Sequence, residues 1–429
     1  MKILQVVHYF VLDGLGGSEL YTHNLSSRLK KRHNVRLFFT IPADGNEGEV
    51  VRGDHNGIAY WALKKQRLSY AHPCADRSKL VEKAFAGVLE EFKPDVVHFQ
   101  HLINLSFALP SLVKKHGIAC CFTLHDYWFI CPRTKLLTDD LKICSTRSPS
   151  SCRDCLRNQI GYYDTRNSTG GLLPLLKQPI KKLLNAIKSI TLLLNLSFWR
   201  TYWVRNVFRN VDMFIAPSRF LLEQYVGIGL PREKITFCRH GFITFDCNGY
   251  RKKTSPHMRF AFLGTLNVHK GIYLLIDAFN SIPGPAELKI YGRLSPAMKQ
   301  SLEKRITNPL ISLMGELAEQ DKATAFSDID VLILPSICYE NCPLTINEAF
   351  MAKVPVITGN IGGMAELVED GKTGLLFPVG SADKLAEKIN VCINDPDLVH
   401  RLSSNIAPVK DMGTHVDEIE RLYEKIRGR

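Results

Sequence analysis

The chain's 429 residues are too many for one ordinary hydrophobic core, so two domains are the expectation. Apolar residues at 45% and charged residues at 23% exclude a disordered or fibrous chain. Lys and Arg total 55 against 42 for Asp and Glu, a net charge of +13 that suits an anionic partner: a phosphorylated small molecule, a nucleic acid or an acidic membrane face.

The apolar run 3–7 behind Met1-Lys2 is too short for the core of a secretory signal and has the length of a buried strand. Runs 35–40, 96–99 and 119–124 read as further strands. Between them, 19–30 and 80–92 carry apolar residues at three- and four-residue spacing, as amphipathic helices do. Continuously apolar strands alternating with helices imply a parallel sheet covered on both faces. No stretch of about 18 residues reads as a spanning helix. Twelve cysteines without an export signal read as reduced thiols, which places the chain in the cytoplasm.

Four of those cysteines, Cys131, Cys144, Cys152 and Cys155, fall within 25 residues. The Cys152-x2-Cys155 pair has chelate spacing, and two further thiolates complete a tetrahedral set, a candidate structural zinc site. The segment 156–210 then breaks the alternation. It holds nine Lys or Arg and one carboxylate, Asp164, and so supplies +8 of the net charge. Leu176, Ile180, Leu183, Leu184, Ile187 and Ile190 share a helical face opposite Lys177, Lys181 and Lys188. Phe198, Trp199, Tyr202, Trp203 and Phe208 follow. Basic, aromatic and amphipathic together describe a helix lying on an anionic membrane surface, making the protein peripheral on the inner face.

The alternation restarts near residue 258. Runs 259–263, 287–291, 311–314, 331–334 and 354–358 read as strands, with helical segments 271–279, 296–305, 344–352 and 382–394 between them. Residues 246–257, with Asn248-Gly249, consecutive basic residues and Pro256, have the composition of a hinge. The expected organisation is a domain 1–245, a hinge 246–257, a domain 258–412 and a last amphipathic segment 413–429 that returns to the first domain. In doubly wound sheets ligands bind beyond the carboxyl ends of the strands, here in a cleft between the domains.

The sharpest chemical signal is Glu340-Asn-Cys-Pro-Leu-Thr-Ile-Asn-Glu348, behind the strand 331–334 and opening a helix. Pro343 suits the first helical turn, where its missing N–H costs nothing. The N–H groups around Leu344 and Thr345 then offer a diphosphate the positive end of a helix dipole. Glu348, one turn in, suits a ribose diol, and Glu340 suits sugar hydroxyls. Gly16 and Gly17 follow the first strand and precede a helix, where the backbone can approach a phosphate or sugar closely. Lys270, beyond the first strand of the second half, can place a point charge on a leaving diphosphate.

Glu340 to Glu348 with Ala349-Phe350, Pro355-Val356-Ile357, Gly362-Gly363, Glu366-Leu367 and Gly374 resembles glycosyltransferase family 4 (group 1), retaining enzymes of GT-B fold. Gly16-Gly17-Ser18-Glu19, His125-Asp126, Ala216-Pro217-Ser218 and the stretch Gly264 to Gly271 match in the same order, so the likeness covers almost the whole chain. The resemblance implies an α/β protein of two Rossmann-like domains. It implies that His125 contacts the transferred sugar without acting as a nucleophile, and that Gly264, Lys270 and the loop about Glu316 hold the donor. It implies same-face substitution in which the leaving phosphate helps deprotonate the acceptor, with no cofactor required. Two positions depart from the pattern: Thr265 stands where Arg is usual, leaving Arg293 to share the diphosphate, and His240 stands where Asn is common.

The expected function is therefore transfer of a sugar from a nucleotide-diphosphate donor to a glycan or lipid-linked glycan, in cell-surface polysaccharide or glycolipid synthesis. The alternative is a non-catalytic GT-B module that binds a nucleotide or a partner, which Thr265 favours. No nucleic-acid module is visible, and the charge is concentrated in one segment.

Overall fold

The computed structural model describes residues 1–10, 16–66, 77–145, 148, 150–152, 154–156, 187, 190, 198–244 and 255–428. Two compact units emerge. The first joins Met1–Pro217, Leu221–Arg239 and Met412–Arg429, and the second joins Ser218–Phe220 and His240–Asp411.

The first unit runs β1 (Lys2–Val6), α1 (Gly17–Leu29), β2 (Asn34–Pro42), β3 (Val50–His55), β4 (Ile58–Lys65), α2 (Lys79–Phe92), β5 (Val96–Phe99), α3 (Leu109–Lys115), β6 (Ala119–Thr123), α4 (Arg200–Asn210), β7 (Met213–Ala216), α5 (Arg219–Val226) and β8 (Ile235–Phe237). Its sheet order is β3-β4-β2-β1-β5-β6-β7-β8, parallel except for the β3–β4 hairpin. That hairpin and β8 are absent from the sequence reading, and β7 enters it only as a strand end at Ala216. Asn56 and Gly57 both take positive φ in the turn, the pairing a two-residue hairpin demands. Strands β2 and β4 lie on one side of β1 and β5 to β8 on the other, so the winding reverses between β1 and β5 and the crevice at their carboxyl ends is the expected ligand site.

The second unit runs β9 (Met258–Leu263), α6 (Ile272–Asn280), β10 (Ala286–Tyr291), α7 (Pro296–Arg305), β11 (Ile311–Gly315), α8 (Lys322–Ser327), β12 (Val331–Leu334), α9 (Leu344–Met351), β13 (Val356–Gly359), α10 (Gly362–Leu367), β14 (Gly374–Phe377), α11 (Ala382–Asn394) and α12 (Pro396–Ser404). All six strands are parallel, ordered β11-β10-β9-β12-β13-β14, and the winding reverses between β9 and β12. Strands β9 and β12 are buried along nearly their whole length, which is why both are mostly apolar, with Arg259 the one charged residue in β9.

The last helix, α13 (Met412–Arg427), belongs to the first unit. Met412, Val416, Ile419, Tyr423 and Ile426 fall at three- and four-residue spacing and pack on Tyr21, Leu25 and Leu29 of α1 and on the sheet. Each such buried side chain contributes about 1.5–3 kcal/mol.

Most of the basic insert, including Leu176, Ile180, Leu183, Leu184, Lys177, Lys181 and Lys188, lies outside the described residues, as do hinge residues 246–254. Ile187, Ile190, Phe198, Trp199 and Tyr202 are exposed. Phe208 corrects the expectation of an interfacial aromatic row. It is buried, edge-on to Phe129 and Phe214, and serves the core of the first unit. Trp203 is capped by the Arg77 guanidinium at 4.6 Å.

Candidate active site

In the second unit the two loops at the winding reversal bring the candidate residues Lys270 and Glu340 together. Beyond β9, a single turn ends at Gly271 with φ 75°, and a Cβ there would stand 2.0 Å from the Pro335 carbonyl oxygen beyond β12. Only glycine lets the loops close to that distance. The approach sets Lys270 Nζ 2.5 Å from Glu340 Oε1, and Ser336 Oγ donates to the same oxygen at 3.0 Å. Burial by itself would raise the Glu340 carboxyl, but the Lys270 charge and the two hydrogen bonds outweigh it and hold the group below the usual carboxylate range. Burial would likewise lower Lys270, and Glu340 outweighs it to keep the ammonium above its ordinary value. Both groups are therefore charged at neutral pH.

Three residues beyond Glu340, α9 begins behind Pro343 with no side chain capping its first N–H groups. Leu344 and Thr345 occupy the first turn as the sequence implies, and their N–H groups form the positive end of the helix dipole. Glu348 is mostly buried and bonded at 2.7 Å to Lys322 Nζ, which also meets Glu319 at 2.7 Å. The sequence reading missed Lys322 and Ser336, because neither carries a motif and each matters only through a partner 26 or 4 residues away.

The remaining donor-side residues are dispersed. Gly264 turns at φ 148° beyond β9, and Thr265 beside it is exposed. Arg293 follows β10 and Glu316 follows β11, and the two pair with each other at 3.1 Å on the surface. The ion pair of an 81% exposed Arg293 is worth little to stability. A cavity of about 640 Å3, lined by Pro256, Arg259, Asp330, Lys353 and His400 among others, lies at the amino ends of these strands, away from Lys270 and Glu340.

In the first unit, residues just past the strands β1, β5 and β6 gather polar side chains. His125 Nε2 lies 2.8 Å from Gln100 Oε1, and Tyr21 packs edge-on to the imidazole at 5.0 Å. Burial first, then His101 nearby, pushes His125 down to about 3, so it is neutral at physiological pH and its Nε2–H donates to Gln100. The chain of bonds continues: Gln100 Nε2 donates to Gln5, Gln5 Nε2 to Tyr423, and the Tyr423 hydroxyl to His98 Nδ1 at 2.7 Å. His98 Nε2 in turn meets Thr123 Oγ1 at 2.7 Å. Helix α13 thus anchors the residue that holds His125.

Beside it, the Ile103 N–H donates to His101 Nδ1, so His101 Nε2 carries its hydrogen toward Asp126 Oδ2 at 3.4 Å. Asp126 also accepts from the Trp128 N–H. Gly16 and Gly17 open α1 as expected, but the tip is not bare. The Glu19 carboxylate folds back so far that a Cβ on Gly16 would fall 2.3 Å from its Oε2, and Glu19 pairs with His8 at 3.2 Å. A buried carboxylate at that helix start opposes a phosphate and favours sugar hydroxyls. Gln100, His101 and His8 were not singled out in the sequence; their position just beyond strand ends is the signal that could have found them.

Among the described residues, Cys238 Sγ, His415 Nδ1 and Glu418 Oε2 are three metal-competent atoms within 4.8 Å of one another. Cys238 donates to Glu418 at 3.1 Å and His415 Nε2 meets the Tyr21 hydroxyl at 2.8 Å, so hydrogen bonds satisfy the set.

Two doubly wound units, each with its polar residues gathered at the reversal of strand order, define the GT-B class. A glycosyl transferases group 1 model matches residues 257–395, and a glycosyltransferase family 4 model matches residues 15–151. The chain belongs to this family of glycosyltransferases. It is 25% identical over 197 residues to a putative colanic acid biosynthesis glycosyltransferase, WcaL, of Salmonella typhimurium, covering 43% of this chain and 48% of that protein. An uncharacterized 42.6 kDa protein in the cps region of Klebsiella pneumoniae is 22% identical over 388 residues, 86% of this chain and 87% of its own. The match to WcaL spans about half the length of that relative. The crystal structure of Anabaena HepE with UDP superposes with a TM-score of 0.67 at 19% identity, covering 99% of this chain and all of that one. Among the described residues, no helix is long and apolar enough to cross a membrane.

Proposed function

We propose that the protein is a retaining glycosyltransferase that moves a sugar from a nucleotide-diphosphate donor to a glycan or lipid-linked glycan in the synthesis of a surface polysaccharide. The observation that carries this reading is the Lys270–Glu340 pair at the winding reversal, three residues ahead of the uncapped start of α9. The helix tip and Lys270 suit a diphosphate whose charge grows as the glycosidic bond breaks. Glu340, held ionised, suits sugar hydroxyls, and Glu348 suits the ribose. On the first unit, neutral His125 supplies an imidazole suited to hydrogen-bond a sugar and not to act as the nucleophile. The leaving phosphate itself then takes the acceptor proton as the new bond forms on the same face. The relatives' names, tied to colanic acid and to a cps region, support a polysaccharide acceptor.

A thermal-shift screen of nucleotide-sugars, followed by a product assay with the stabilising donor, tests the reading. Transfer or donor hydrolysis that disappears in Lys270→Ala and Glu340→Ala supports it. Nucleotide binding with no turnover under any acceptor would favour a non-catalytic module instead. The peripheral-membrane part rests on the basic segment and on the exposed Phe198, Trp199 and Tyr202. Neutralising Lys177, Lys181, Lys182 and Lys188 together should reduce co-sedimentation with anionic vesicles, and unchanged sedimentation would remove membrane attachment from the proposal.

A further inference from the structure

Downstream of His125 and Asp126 the segment 131–145 runs mostly as turns, while 150–152 and 154–156 are helical. One antiparallel bridge, Leu137 to Ile143, holds it, and Thr134, Leu136 and Leu141 all take positive φ. Three non-glycine residues in that region carry a cost that nearby structure must offset. Yet the four cysteines of this stretch converge. Cys131, Cys144, Cys152 and Cys155 all line one cavity of about 40 Å3, closed by Pro132, Leu137 and Leu156. It has room for an ion and none for an organic ligand.

Hydrogen-bond donors and cations face the sulfurs. Backbone N–H groups of Arg133 and Leu136 are directed at the Cys131 sulfur. The Arg133 guanidinium donates to Cys155 Sγ at 3.3 Å, and the Arg200 cation lies near Cys152. Arg200 is itself buried and fixed by the Trp128 carbonyl and the faces of Phe107 and Trp128.

We propose that Cys131, Cys144, Cys152 and Cys155 bind one structural zinc ion that fixes the loop behind His125 and Asp126. Binding forms four Zn–S bonds of about 2.3 Å and releases the thiol protons to solvent. The resulting site carries two negative charges, which Arg133 and Arg200 offset. No oxidant or reductant takes part, and the donor chemistry is not routed through the metal.

The test uses the full chain expressed with zinc in the medium and freed of loose metal by gel filtration. About one zinc per chain is expected, lost in Cys152→Ser/Cys155→Ser and retained in Cys238→Ser. Should the double variant fail to fold, the wild-type protein still decides: cobalt exchange should give sulfur-to-metal charge-transfer bands and the strong visible bands of a tetrahedral thiolate centre. Zinc retained by the double variant, a cobalt spectrum without thiolate bands, disulfides among the four by mass spectrometry, or a zinc-free wild-type protein with all four thiols freely titratable would each overturn the proposal.

Discussion

Lys270 and Glu340, 70 residues apart in the chain, meet at 2.5 Å because Gly271 and Pro335 let two loops of one sheet touch. The pair is a preformed charge device, and its loss should be felt in catalysis more than in folding. Lys270→Ala and Glu340→Gln should each lower kcat/KM by about 10²–10³, the range for removing one preorganised electrostatic group. Their double variant should cost much less than the sum, since each single change leaves the other charge unpartnered. Steady-state kinetics on the four proteins of the cycle check this.

The same pair has a defined pH window. Glu340 is held low, so its contribution to stability is complete above about pH 4.3 and disappears as pH falls through its lowered folded value. Lys270 is held high, so its contribution is complete below about pH 10.4 and disappears as pH rises through its raised folded value. His98 and His125 act on the acid side sooner. Both sit near 3 in the folded protein and near 6.5 when unfolded, so below about pH 6.5 the unfolded chain binds two more protons. Stability should therefore fall on acidification by about 2–3 kcal/mol per pH unit from these two groups, starting well above the carboxylate range. Urea melts at pH 7, 6 and 5 measure the slope. The pH–rate profile, by contrast, should show no limb near 6.5 that belongs to His125.

Most of the parallel strands were legible in the sequence because strands buried on both faces are largely apolar, as in Val331–Leu334 and Val96–Phe99. The β3–β4 hairpin was not, since β3 is a half-exposed edge strand whose sequence mixes Val, Arg, Gly, Asp and His. On the site side, Glu340, Leu344, Thr345 and Glu348 were legible as a group because they are close in sequence and open a helix. The link between His125 and Tyr423 was not, because it passes through Gln100 and Gln5, which become neighbours only when β1 and β5 pair.

That link makes Tyr423 a candidate positioning residue. Its hydroxyl accepts from Gln5 and donates to His98, entirely within the core. Tyr423→Phe removes both bonds and leaves buried polar atoms behind, at about 1–3 kcal/mol. If the network orients His125, kcat should fall while donor KM stays near wild type, and the His125 NMR signals should shift without loss of the fold. Unchanged kinetics with the stability loss alone would confine Tyr423 to a structural role.

Gly271 offers a test of the loop approach itself. Its φ of 75° costs a side chain about 1–3 kcal/mol anywhere, but here a Cβ would also strike the Pro335 carbonyl at 2.0 Å, so the loops must part. Gly371 has nearly the same φ, 72°, with open space where its Cβ would go. Gly371→Ala should therefore lose only the conformational part, with turnover untouched. Gly271→Ala should lose more stability and, by separating Lys270 from Glu340, should lower kcat/KM toward the level of Lys270→Ala. Thermal unfolding and kinetics on the two variants distinguish strain from displacement, and equal losses in both would mean that the contact with Pro335 does not set the catalytic spacing.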